Sequence, residues 1–271
     1  KEQLDKGKDV CFVLDKKIHT TNNVNEEYVM MAYSLSQPGN LERASVYDQV
    51  LEEHEVYHMH RIAVFRNGEW IDKTPDMKIK LLDNENQSDG GVLNSSKKLN
   101  ITIKDLRLYD ILVMEDTRIK NLMDKDFMRK AYYKYVWISP DVYWTYCNYN
   151  FTLINDRAEP IIAKRTFFRD EKDDVIPPEE ILIAPGERYE VKYENYNNPV
   201  DSGRQIFPYI DFATQATWAS ISEFVVPMYQ QVEAENELTT FAPELKEQLD
   251  NLPTLDDKIS FGIEYVQNHV R

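Results

Sequence analysis

Residues 99–118, LNITIKDLRLYDILVMEDTR, restrict what this chain can fold into more than any other stretch. Leu99, Ile101 and Ile103 fall on alternate positions, the period of a strand with one buried face. A second apolar run, residues 111–114, follows after a polar elbow at 104–110. Within the elbow Asp105 and Asp110 flank Arg107, a spacing that predicts a structural clasp of carboxylates on a guanidinium at the corner between two strands.

Strand-like runs surround this stretch. Residues 10–14 and 28–35 are compact apolar runs, and residues 56–65 lead into Asn67-Gly68, a strong two-residue hairpin signal. Met77, Ile79 and Leu81 alternate in the next strand, and residues 131–138 and 142–154 are aromatic-rich strands joined across Ser139, Pro140 and Asp141. Residues 181–184 and 188–193 flank Pro185-Gly186 as a second hairpin. Residues 41–53 fit both periods, since Leu41, Ala44, Tyr47 and Leu51 suit a helix while Ser45, Val46 and Tyr47 suit a strand; a strand is expected.

At about residue 214 the period becomes helical. Ser220 and Glu223 have the spacing of a capping box, Trp218, Ile221, Val225 and Met228 share a face, and Pro227 is expected to kink or end the helix. Residues 230–238 have the composition of a polar linker, and 243–249 of a short helix. Residues 254–271 form a last helix, with Leu255, Ile259, Ile263, Val266 and Val270 as its apolar stripe. The expected fold is mainly β: a β-sandwich of antiparallel strands over 8–212, followed by C-terminal α-helices over 213–271.

Charge bounds the partners. There are 32 Lys and Arg against 47 Asp and Glu, a formal net of −15 spread along the chain. Such a surface repels phosphate backbones and anionic membranes, so no nucleic-acid partner is expected. No run approaches the ~20 apolar residues of a membrane-spanning helix, so no transmembrane segment is expected. The chain opens at Lys1 with no apolar signal core, which is compatible with a removed export signal or a trimmed start. Cys11 and Cys147 have no CxxC spacing, so neither a zinc site nor a disulfide framework follows, and a single bond between them stays open. No cofactor is implied, because P-loop, GxGxxG and HExxH patterns are all missing.

Three groups of residues carry candidate chemistry. His54, His58 and His60 share one parity, and imidazoles are common transition-metal ligands, although a solvent-facing polar stripe accounts for them as well. Tyr133, Tyr135 and Trp137 share one strand face; exposed, they would form a binding surface for sugar rings or peptide side chains, whereas inter-sheet core is the favoured expectation. Nucleophilic catalysis needs a thiol, an activating His and an orienting carboxylate. His269 is the one His after Cys147 and no acid follows it, while Cys11 sits in a short apolar run, so no complete triad is expected.

Five stretches in order, HRIAVFRNGEWID (60–72), KIKLL (78–82), DLRLYDIL (105–112), ATWASISEF (216–224) and YVQNHVR (265–271), resemble bacterial transglutaminase-like proteins. In that family a domain of unknown function, DUF3857, precedes a papain-like catalytic domain. The family pattern in the elbow usually has Gly where this chain has Tyr109. The resemblance implies a non-catalytic β-sandwich that packs on, or presents substrate to, a downstream catalytic domain whose Cys, His and Asp lie beyond Arg271. It also implies an extracytoplasmic home and a domain interface at Trp218, Ile221, Ile259, Ile263, Val266 and Val270. Left without that partner, the last helix is expected to dimerise through its stripe or to dock back on the sandwich. A glycan- or peptide-binding module using residues 132–151 is the alternative.

Overall fold

Apolar residues recurring at every second position build one long sheet in this chain, and two shorter sheets cover one of its faces. The computed structural model describes residues 9–83, 96–123, 127–137, 144–165, 168–169, 175–176, 179–197, 209–215, 217–235 and 238–269. The chain divides into two compact units, 1–84 with 95–215 and 85–94 with 216–271. The first unit begins with β1 (Asp9–Thr20), β2 (Val24–Ser34), α1 (Pro38–Ser45), β3 (Val46–Leu51), β4 (Glu55–Arg66), β5 (Glu69–Asp72), β6 (Lys78–Asp83), β7 (Lys97–Thr102) and β8 (Ile111–Asn121). It continues with α2 (Phe127–Lys130), β9 (Tyr133–Trp137), β10 (Trp144–Asn155), β11 (Ile161–Arg165), β12 (Phe168–Arg169), β13 (Val175–Ile176), β14 (Glu179–Ile183), β15 (Glu187–Asn197) and β16 (Tyr209–Thr214).

The long sheet has the order β15-β10-β1-β2-β8-β4-β5. Its pairings are antiparallel except one: β1 runs parallel to β10, with Asp9 opposite Trp144 and Thr20 opposite Asn155, so the sheet of this mainly β fold is mixed. Leu14 lies opposite both Met31 and Tyr149, Met31 opposite Met114, and Met114 opposite Ile62, so these residues share a face. Over one end of that face lies the sheet β14-β11-β16-β9, burying Ile18, Phe151, Leu153, Ile161, Ile210 and Phe212 between the layers. Over the other end lies β3-β7-β6 with α1, burying Leu35, Ala44, Ile62, Val64, Ile101 and Leu112. Each fully buried Leu, Ile or Phe contributes about 1.5–3 kcal/mol, so both cores are large relative to the net stability of a domain. Leu14 packs against both cores.

Several local expectations are corrected. Residues 41–53 hold both elements in succession, the helix α1 opened by Pro38 and then β3. Pro185-Gly186 makes a tight turn, with Gly186 at φ 81°, but β14 and β15 belong to different sheets and do not pair. The strand β1 outruns its apolar start, and within the extension Lys16, about three-quarters buried, is paired with Glu27. Asn67 (φ 52°) and Gly68 (φ 90°) do close the β4–β5 hairpin in the left-handed conformation such two-residue turns require.

The second unit contains α3 (Trp218–Glu235), α4 (Leu238–Phe241), α5 (Pro243–Asp250) and α6 (Leu255–His269). The α3 helix continues through Pro227 and through most of the stretch expected to be a linker. Its cap is Thr217 rather than Ser220: the Ser220 amide donates to Thr217 Oγ1 at 3.1 Å, and the Thr217 amide donates back to Ser220 Oγ at 3.0 Å. At α6 the Asp257 amide donates to Thr254 Oγ1 at 3.1 Å, which caps the helix.

Candidate functional site

A cleft of about 230 Å³ lies on the long sheet beside β9. Its floor and walls include Ile18 of β1, Asn25 and Glu27 of β2, Arg118 and Lys120 of β8, Glu55 of β4, and Tyr133 and Lys134 of β9. Alternation explains the floor: Ile18, Glu27, Arg118 and Tyr57 are cross-strand partners in series and project to the covered face. Glu27 is paired there with Lys16 and, at 2.7 Å, with Lys134. Burial alone would raise its pKa, but the two ammonium groups outweigh that and hold the carboxyl down at about 2. Lys120 pairs with Glu52, and Arg118 donates to Gln49. Beside this floor, on β8, Asp116 is 9% exposed, and burial pushes its carboxyl up to about 6.

Sequence reading did not anticipate this cleft, because its charges come from four strands far apart in the chain. Nor did it anticipate Arg157, which is fully buried. Arg157 donates to the Thr21 and Arg129 carbonyls, each at 2.9 Å, and stacks over the Tyr132 ring at 5.7 Å, tying α2 to two turns.

Tyr133 and Tyr135 are 54% and 52% exposed, while Tyr132 and Val136 are buried, so the expectation that this face is inter-sheet core is overturned for both tyrosines. The inward face of β9 is the other one, where Lys134 meets Glu27. The Trp137 side chain lies outside the described residues.

The structure does not bring the three histidines together. His54 sits in the turn before β4 at φ 65°, 3.5 Å from Glu53. His58 and His60 are on the open face of the long sheet, their rings stacked with centroids 6.3 Å apart, and His60 Nε2 hydrogen-bonds Thr117 Oγ1 at 2.7 Å. His60 itself sits at a register shift between Met59 and Arg61. Among the described residues no three His, Cys, Asp or Glu are grouped to hold a metal.

The clasp exists with a different guanidinium at its centre. Asp110, 2% exposed, accepts two bonds from Arg66, Nε to Oδ1 at 2.8 Å and Nη2 to Oδ2 at 2.7 Å. Asp105 adds a bond from Arg66 Nη1 at 3.0 Å and lies 3.5 Å from Lys73 Nζ. Among the described residues the Arg107 side chain, which is exposed, pairs with Asp105 alone, and its contribution to Asp110 is its backbone amide at 2.8 Å. Those partners raise the Arg66 pKa further and lower that of Asp105.

Cys11 and Cys147 are not joined in a disulfide. Burial pushes the Cys11 thiol up to about 12 and raises that of Cys147, the direction opposite to an activated nucleophile. In the helical unit Trp218 is 84% exposed, and Leu255, Ile259, Ile263 and Val266 are between 50% and 71% exposed, so the α6 stripe faces outward; Ile221 is partly buried, and Val270 lies outside the described residues. No described helix is long and apolar enough to cross a membrane.

No family model matches the chain, and no curated protein matches it. Among solved structures, a protein from Parabacteroides distasonis described as a "putative protease" has a similar fold, with a TM-score of 0.67 at 9% identity. The match covers 96% of this chain and 50% of that protein, so the chain spans half of its length.

Proposed function

We propose that this chain is a non-catalytic β-sandwich accessory region that packs on, or presents substrate to, a transglutaminase-like or cysteine-protease domain encoded after Arg271. The observation that carries this reading is the α6 stripe: four apolar side chains at helical spacing, each at least half exposed, are what an interface helix shows when its partner is not in place. The fold shared with half of a larger protein described as a protease supports it. The high thiol pKa values of Cys11 and Cys147 fit a chain that does no nucleophilic chemistry of its own.

The test is co-purification of this chain with the polypeptide encoded immediately downstream. Association is expected, and the double variant Ile259→Asp with Ile263→Asp is expected to abolish it while leaving the β unit folded. Reading no Cys, His and Asp domain in the downstream codons, or finding association indifferent to the double variant, overturns the proposal. Amide turnover by the chain alone, lost in Cys147→Ala, would make it an enzyme instead.

A second reading is favoured by one specific observation, the outward tyrosines of β9: a module that binds peptide or glycan along Tyr133 and Tyr135.

A further inference from the structure

We propose that the cleft beside β9 binds a free α-amino acid with an apolar side chain, its carboxylate on Arg118 and the Tyr132 hydroxyl and its ammonium on Glu55. The site stands apart from both functional readings above and rests on neither. Four cations in and around the cleft, Lys16, Arg118, Lys120 and Lys134, stand against four carboxylates, Glu27, Glu52, Glu55 and Asp116, so net charge selects neither a cation nor an anion. Selection falls to the groups left without an opposite partner. Glu27 is shared by Lys16 and Lys134, and Glu52 is taken by Lys120. Glu26 also borders the cleft, but alternation from Glu27 sends its side chain to the open face of the sheet.

Two groups remain. Among the described residues Arg118 forms no ion pair; it donates Nη2 to the neutral side-chain amide of Gln49. Glu55 likewise forms no ion pair among them and accepts one hydrogen bond, from the Glu52 amide at 2.9 Å. Register places these two side by side. Arg118 faces Tyr57 and Lys120 faces Glu55 across the pairing of β8 with β4, so Arg118 and Glu55 are diagonal neighbours on the covered face, about 7 Å apart at Cβ. An α-amino acid carries its carboxylate and its ammonium on one carbon, and so can answer both side chains at once with charge-assisted hydrogen bonds.

The rest of the lining fits such a ligand. Ile18 of β1 and Met128 of α2 supply apolar surface for its side chain. Tyr132 borders the cleft at 2% exposure, and its hydroxyl has no hydrogen-bond partner among the described residues. A hydroxyl so placed is costly to leave unsatisfied, and a ligand carboxylate would accept its proton in a hydrogen bond. At about 230 Å³ the cleft is smaller than the ~300–1,000 Å³ of sites for drug-sized molecules, which suits a single amino acid.

The test is isothermal titration calorimetry of the full chain with four probes: L-leucine; leucinamide, which lacks the carboxylate; N-acetylleucine, which lacks the ammonium; and methyl α-glucoside, a neutral polyhydroxylated control. Expected is saturable binding of leucine, binding weaker by about tenfold or more for either blocked analogue, and none of the glucoside. Arg118→Gln is expected to weaken leucine by about tenfold or more and to leave leucinamide unchanged, while Glu55→Gln weakens leucine and leaves N-acetylleucine unchanged. Tyr132→Phe keeps the ring and removes a hydroxyl with no partner in the free chain, so the melting temperature is expected to hold or rise while leucine binding falls by about fivefold. If Arg118→Gln or Glu55→Gln does not fold, the blocked analogues on the parent chain still decide. No binding of leucine, a blocked analogue that binds as tightly as leucine, or leucine binding indifferent to Arg118→Gln or to Tyr132→Phe overturns the proposal. Binding of the glucoside in place of leucine overturns it too, and leaves the glycan reading standing.

Discussion

Arg66 and Arg107 differ by burial, and burial decides what each is worth. Removing the Arg66 side chain leaves Asp110 as an unpaired carboxylate at 2% exposure, so Arg66→Ala is expected to cost about 3–5 kcal/mol in chemical denaturation. Arg107→Ala removes one exposed ion pair and is expected to stay within about 0.5 kcal/mol of the parent. Glu27 and Asp116 give stability opposite pH dependences. The Glu27 carboxyl is held at about 2 against an ordinary 4.5, so its stabilisation is complete above the unfolded value and is lost as pH falls toward the folded one. Glu27→Gln is therefore expected to cost about 2–3 kcal/mol near pH ~7, with the gap to the parent narrowing below the unfolded value of 4.5 and closing near the folded value of about 2. The Asp116 carboxyl is raised to about 6 from 3.8, so the stability of its neutral form is complete below the unfolded value and is lost as pH rises through 6. The denaturation midpoint of Asp116→Asn is expected to change less than that of the parent between about pH 5 and about pH 8.

At the scale of elements, turns were legible where residue chemistry alone sets the backbone and illegible where the sheet decides. Asn67-Gly68 specifies a hairpin by itself, because both residues tolerate positive φ. Pro185-Gly186 has an equally strong turn signal, yet which sheet each flanking strand joins depends on β10 and β11, which no local pattern encodes. The elbow between β7 and β8 also carries the chain from one sheet to another, with Asp105 at φ 54° and Tyr109 at φ 71°. A non-glycine residue in that region is strained by roughly 1 kcal/mol, and the Tyr109 side chain is 74% exposed, so little packing opposes its removal. Tyr109→Gly is expected to raise the melting temperature by a few degrees, from a gain of about 0.5–1 kcal/mol; a lower melting temperature would show that the ring contributes more than the strain costs.

At the scale of the whole chain, two cores share one long sheet, and each is closed by its own smaller sheet. Residues on opposite sides of the shared strand β1 then belong to different clusters, and Leu14 is common to both. Leu14→Ala is expected to cost about 2–5 kcal/mol and to lower protection against hydrogen exchange in both clusters; protection lost in one alone would show the cores to be independent.

Binary pattern and turn chemistry by themselves determined that the chain is mainly β up to about residue 214 and helical after it, because strand and helix periods are local properties that each stretch carries alone. They also located the Asp105 and Asp110 corner. The tertiary structure decided the partners: Arg66 rather than Arg107 in the clasp, β1 parallel to β10, Tyr133 and Tyr135 outward, and the charged cleft beside β9. Those pairings join residues tens of positions apart, and which of many carboxylates meets which guanidinium follows from sheet order and register, which exist only once the strands have been assembled.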